Sequence, residues 1–102
     1  MIKNNKTETP DYLFNEDETI ENIREFVDGS YSLHYAHKPE LQTASVWEAL
    51  GSLDTTSRDV AIKYLMRYGK KNGKNVKDLY KAIHYIIMMI YDHEQKQQKE
   101  SV

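Results

Sequence analysis

Residues 75–94 read NVKDLYKAIHYIIMMIYDHE. Leu79, Ala82, Ile83, Ile86, Ile87 and Ile90 recur there in steps of one, three and four, the spacing that lines one face of an α-helix. Asn75, with Asp78 three residues on, supplies a capping start. The pattern predicts a helix to about Glu94, followed by a polar tail, 95–102, that frays. Upstream, Val60, Ala61, Tyr64, Leu65 and Tyr68 fall at i, i+1, i+4, i+5 and i+8. They make a second amphipathic helix, with caps offered by Asp54-Thr55-Thr56-Ser57 and a stop at Gly69. Two long helices joined by a loop of about five or six residues favour an antiparallel hairpin.

Farther upstream, Val46, Trp47, Ala49 and Leu50 make a short helix ending at Gly51. Residues 30–43, interrupted by Pro39, read as a loop carrying His34, Tyr35, His37 and Lys38. Asn15 and Glu18 open a first helix whose apolar face is Ile20, Ile23 and Val27, and Asp28-Gly29 is expected to close it at 28. The fold expected is an all-α domain over 15–94 with a central antiparallel helical hairpin, between a flexible leader at 1–14 and a disordered tail at 95–102. Tyr12, Leu13 and Phe14 are candidates to dock on the body. The run Ile83–Tyr91 is apolar over more than one face, so a homo-oligomer is expected to cover it.

Composition narrows the chemistry. The 102 residues include no cysteine, which removes disulfide scaffolds and thiolate zinc sites. The longest apolar run, Ile86 to Tyr91, is far shorter than the roughly 20 residues needed to span a bilayer, and no signal-like segment opens the chain. A cytoplasmic protein without membrane partners is expected. The net charge of −2 hides an asymmetry. Residues 1–30 carry eight acids against three bases, whereas 58–81 carry eight bases against two acids. The basic segment calls for an anionic partner. The acidic first helix would repel a long nucleic acid but tolerate a small anion held locally.

Within the basic segment, Lys63, Arg67, Lys70 and Lys74 advance in steps of four, three and four, and Lys74, Lys77 and Lys81 in steps of three and four. Each set lies along a helix face near the turn. With loop N–H groups and a helix N-terminus beside them, they form a cradle for phosphate. Arg67 is best suited to bidentate binding, and Lys70 and Lys71 divide evenly between ligand contact and turn solubility. Asp78 reads first as a first-turn acid or a structural partner of Arg67 or Lys63, and second as a catalytic candidate placing magnesium. Tyr64, Tyr68, Tyr80 and Tyr85 sit at core spacing. His34 is a candidate general acid or base, since imidazole titrates near neutrality; loop anchoring is the equal alternative. His34 and His37 lack companion ligands, so no metal site is read. His84 and His93 are expected at the surface or an interface. Glu18, Glu21 and Glu25 share one helix face and read first as a solvated face partly neutralised by Arg24, and second as acids that could hold a metal as in helical nucleotide pyrophosphatases. No Walker A, dinucleotide-binding glycine fingerprint, Gly-x-Ser-x-Gly or His-Glu-x-x-His pattern is present.

The order Lys63-Tyr64-x-x-Arg67-x-Gly69-Lys70-Lys71, then Asp78-Leu79-x-Lys81-Ala82-x-x-Tyr85, resembles a family of small tailed-phage proteins. That family was long of unknown function and is assigned in part as nucleotide kinases lacking a Walker A motif. His34-Tyr35 is similar to its upstream His-Tyr pair, and Val46-Trp47-Glu48-Ala49-Leu50 stands where it has a short helix. The likeness spans roughly 34–91. It implies a homo-oligomeric phage protein in the infected cell's cytoplasm that handles nucleotides. Lys63, Arg67, Lys70, Lys71 and Lys81 would then bind phosphate, and Tyr35, Tyr64 and Tyr85 would meet base or sugar. Asp59-Val60 replaces the family's frequent Gly-Asn, and the glycine after its His-Tyr pair is missing. Two activities stand about level. One is phosphorylation of nucleoside monophosphates, needing ATP and Mg2+ and no permanently bound cofactor. The other is binding without turnover, as in sequestering a cyclic oligonucleotide or related messenger to block anti-phage immunity. A nucleic-acid-binding accessory role is a weaker third.

Overall fold

The computed structural model describes residues 10–32, 39–70 and 73–101. Those residues form four helices and no strand: α1, Glu16–Ser32; α2, Pro39–Leu50; α3, Leu53–Arg67; and α4, Val76–Ser101. The fold is all-α.

The two glycine stops sit where the sequence places them. Gly51 has φ +82°, its amide donates to the Glu48 carbonyl, and the Ser52 amide donates to that of Trp47. This closes α2 with the paired bonds of a Schellman turn. Gly69, at φ +88°, ends α3, and its amide donates to the Gly73 carbonyl. The Asn75 side-chain oxygen accepts the Lys77 amide at 3.0 Å, and its carbonyl accepts the Asp78 amide, so Asn75 caps α4.

Other boundaries differ from the sequence expectation. Helix α1 passes through Gly29 to Ser32, because Gly29 keeps a negative φ and the Ser30 hydroxyl donates back to the Phe26 carbonyl at 3.2 Å. Pro39 opens α2, so 39–43 are helical; proline suits a first helical position, where no amide donor is needed. Helix α3 starts at Leu53 behind Ser52, which makes no side-chain cap bond, and Ser57 lies buried within it. Helix α4 runs past Glu94 to Ser101. The Lys96 ammonium lies 2.9 Å from Asp92, one turn back, and 3.4 Å from Asp54 at the start of α3, which anchors the extension. The Thr55 amide, with Lys96 adding to it, holds the Asp54 carboxyl below its ordinary range. Leu13 and Phe14 are exposed and dock on nothing described.

Helices α3 and α4 make the most extensive contact, and α1 and α2 lie against them. The core is small: Ala61, Tyr64, Ala82 and Tyr85, flanked by Trp47, Val60 and Met88. Alanines at 61 and 82 let α3 and α4 approach while the two tyrosines fill the seam beside them. Tyr64 and Tyr85 stack with centroids 6.2 Å apart and planes at 15°, and Trp47 of α2 lies 6.2 Å from Tyr85. On the far side of α4, Phe26 of α1 meets Tyr80 at 5.6 Å and His84 at 6.3 Å, and Tyr31 lies 6.4 Å from His84. His84 is therefore only 8% exposed, not the surface or interface residue its sequence position suggests. Enclosure by rings depresses its basicity below the usual histidine value.

Candidate functional site

Three cations gather on one ring. Lys63 Nζ lies 4.6 Å from the Tyr64 centroid, Lys81 Nζ 5.3 Å and the Arg67 guanidinium carbon 5.8 Å. Helical spacing brings Lys63 and Arg67 to the same flank of α3, one turn apart, and α4 delivers Lys81 one position before its buried Ala82. Tyr64 is the shared neighbour because its ring stands at the α3–α4 seam, 6% exposed. Cation–π attraction gives each head roughly 0.5–1 kcal/mol of reason to stay there.

The arrangement is unbalanced in charge. Asp78 Oδ1 sits 3.8 Å from Arg67 Nε, too long for a hydrogen bond but close enough for an ion pair. Of the roles open to Asp78, the structure places it buried beside Arg67, with its backbone amide in the cap of α4. Among the described residues, neither Lys63 nor Lys81 has a carboxylate within salt-bridge distance. Three positive groups thus share one aromatic ring, and among the described residues only Arg67 of the three has a carboxylate within ion-pair distance. A phosphate entering there would offset their mutual repulsion.

The remaining site expectations fall unevenly. Lys70 is exposed in the turn after α3, and its amide donates to the Arg67 carbonyl. Lys71, Tyr35 and His34 lie outside the described residues, as does His37. The amides of Gly69, Lys70, Asn75, Lys77 and Asp78 all have acceptors within the loop and cap. Part of the expected cradle of loop N–H groups is thus already bonded within the turn. Tyr64 and Tyr85 are core residues whose rings are engaged with each other, with Trp47 and with the cations. They form a floor under the charges, with little ring face open to stack on a base. Trp47 and the role of Tyr64 as the meeting point were not singled out from sequence. The available signal was the pairing of Tyr64 with cations at i−1 and i+3 on one helix and with Lys81 at a matching level of the next.

Among the described residues no group of three or more His, Asp and Glu side chains is placed to hold a metal ion. Glu18, Glu21 and Glu25 of α1 are exposed, with Arg24 3.9 Å from Glu21. No described helix is long and apolar enough to cross a membrane. Comparison with protein-family models, with curated proteins and with solved structures gave no significant match.

Proposed function

We propose that this chain binds a nucleotide or nucleotide-derived ligand by its phosphates, through Lys63, Arg67 and Lys81, with Lys70 and Lys71 as further phosphate ligands. The observation that carries this reading is the convergence of three cations on Tyr64 against a single carboxylate. A solvated charge run would spread its cations away from one another; these are held together by an aromatic floor and an acid that fixes Arg67. The pairings Arg67–Asp78, Tyr64–Tyr85 and Asp54–Lys96 join the end of α3 to the start of α4 and the reverse, which supports an antiparallel hairpin as the platform. The resemblance to the tailed-phage family supports nucleotide as the class of anion, the host cytoplasm as the compartment and self-association of the chain.

Between turnover and simple binding, the geometry favours binding. Phosphoryl transfer needs a group to orient the attacking hydroxyl and usually carboxylates to place magnesium. Among the described residues Asp78 is the one acid within ion-pair distance of these cations, and it is buried beside Arg67. Retention of a nucleotide signal, withholding it from a host defence pathway, is the function that such a site serves.

The test is incubation with mononucleotides and cyclic oligonucleotides, with and without ATP and Mg2+, followed by denaturation and chromatography. Ligand recovered unchanged at stoichiometric yield is the expected result; a newly phosphorylated product refutes sequestration. By calorimetry, Arg67→Ala should weaken the best ligand by about tenfold or more, since a hydrogen bond to a charged group contributes roughly 1.5–3 kcal/mol. Undiminished affinity would remove the site from this face.

A further inference from the structure

Among the described residues, no side chain larger than serine is fully buried. Meanwhile Ile62 and Leu65 on α3, and Val76, Ile86, Ile87 and Ile90 on α4, stand 40% to 52% exposed. A chain with this many aliphatic residues leaves its own core unfinished.

These six residues form one surface. On α3 the buried positions are Leu53, Ser57, Ala61 and Tyr64. At about 100° per residue, Leu65 and Ile62 lie round the helix in one sense from that stripe, and Arg67 and Lys63 in the other. On α4 the positions facing α3 are Asp78, Ala82 and Tyr85; Ile86 and Ile90 lie round in the first sense and Lys81 in the second. For helices running in opposite directions, the same sense of rotation leads to the same side of the pair. Leu65, Ile62, Ile86 and Ile90 therefore share one side of α3–α4, with Val76 and Ile87 farther round towards the back of α4, and the three cations share the other.

We infer that the aliphatic side is a two-fold dimer interface, its occupant a second copy of this chain. The flank of α4 from Val76 through Leu79, Ile83 and Ile86 to Ile90 contains no charged residue; on α3 the same flank carries Ile62, Leu65 and one cation, Arg58, which pairs with Asp59 at 3.2 Å. Two identical faces can meet there with that one cation already paired. In a two-fold contact whose axis runs along the helices, α3 of one copy lies against α4 of the other, and the reverse holds by symmetry. The six named side chains expose on the order of 500 Å² per copy, which with their polar rim approaches the roughly 800 Å² per partner of a stable interface. The product is a four-helix bundle in which each α3–α4 seam is covered. Because the cations lie on the opposite side, the two anion sites face outward and each is complete within its own chain. The dimer thus stands or falls separately from the proposed ligand.

Sedimentation velocity on the full chain, from low micromolar to near-millimolar concentration, tests this. The expected mass is twice 12.0 kDa. Leu65→Glu and Ile90→Glu alter positions exposed in one chain, so each is expected to keep its helical circular dichroism and sediment as a single chain. Two variants on different helices guard against a folding defect in either. A wild-type chain that remains monomeric at the highest concentration overturns the dimer. A dimer that survives both charges overturns this face.

Discussion

Ser57→Ala should make the protein more stable. Ser57 lies inside α3 with 0% exposure, and its hydroxyl finds no hydrogen-bond partner among the described residues. A buried hydroxyl without a partner costs roughly 1–3 kcal/mol on mutational scales. Alanine removes that cost and adds a few tenths of a kcal/mol of helix propensity. Against this stands the space left by one oxygen, about 10 Å3, which at about 24 cal/mol per Å3 is worth only ~0.2 kcal/mol. The net expectation is a gain of about 1–3 kcal/mol, or upwards of about 4 °C in Tm for a domain of this size. The assay is urea unfolding followed by circular dichroism, with both proteins at one concentration because association contributes to apparent stability. A lowered midpoint for the variant would refute the reasoning, since it would mean the hydroxyl is bonded in the native state.

Three further outcomes follow. His84 has a folded-state pKa held below its ordinary value by burial, so the native state binds fewer protons than the unfolded one. Stability is then full above about pH 6.5 and falls as the pH drops from there towards the folded value, by at most about 1.4 kcal/mol per pH unit; urea midpoints for wild type and His84→Phe should diverge over that window, and parallel curves would remove the effect. Gly69→Ala should cost about 1–2 kcal/mol from its φ of +88° alone, because an added methyl meets nothing nearer than Lys74 Cγ at 3.7 Å; Gly29→Ala, in open space with negative φ, should gain about 0.5–1 kcal/mol in the same unfolding assay. Lys96→Ala should speed amide exchange over residues 95–101 and leave the Tyr64–Tyr85 region protected; uniform exchange in both proteins would show that Asp54 and Asp92 do not anchor the end of α4.

What could be read from sequence was what local physics decides. The α4 stripe, the stops at Gly51 and Gly69 and the Asn75 cap depend on side-chain period and on backbone conformations available chiefly to glycine or to short capping side chains. Long-range contacts decided the rest. Nothing near Lys96 in sequence announces Asp54, 42 residues away, so α4 was expected to end early. His84 lies among apolar neighbours on its own helix, but only Phe26 and Tyr31, arriving from α1, make it a core residue. Ser57 looked like a cap because it stands in a run of capping residue types. In the candidate site, the helical spacings of Lys63 with Arg67 and of Lys77 with Lys81 were visible, and the resemblance selected Lys63, Arg67 and Lys81 among the basic residues. The ring they share was not visible as such, because a tyrosine at core spacing carries no mark of its neighbours' charge. Nor did the basic loop show that several of its amides bond within the turn.

The column of rings from Trp47 through Tyr85 to Tyr64 also has an optical consequence. The chain holds one tryptophan, and it stands two rings away from the three cations. An excited indole shifts charge across its ring system, so its emission colour follows the local electric field. An anion that neutralises Lys63, Arg67 and Lys81 changes that field, and a displacement of α2 changes the overlap with Tyr85. Occupancy of the cradle should therefore be visible in the emission of Trp47, with no label attached.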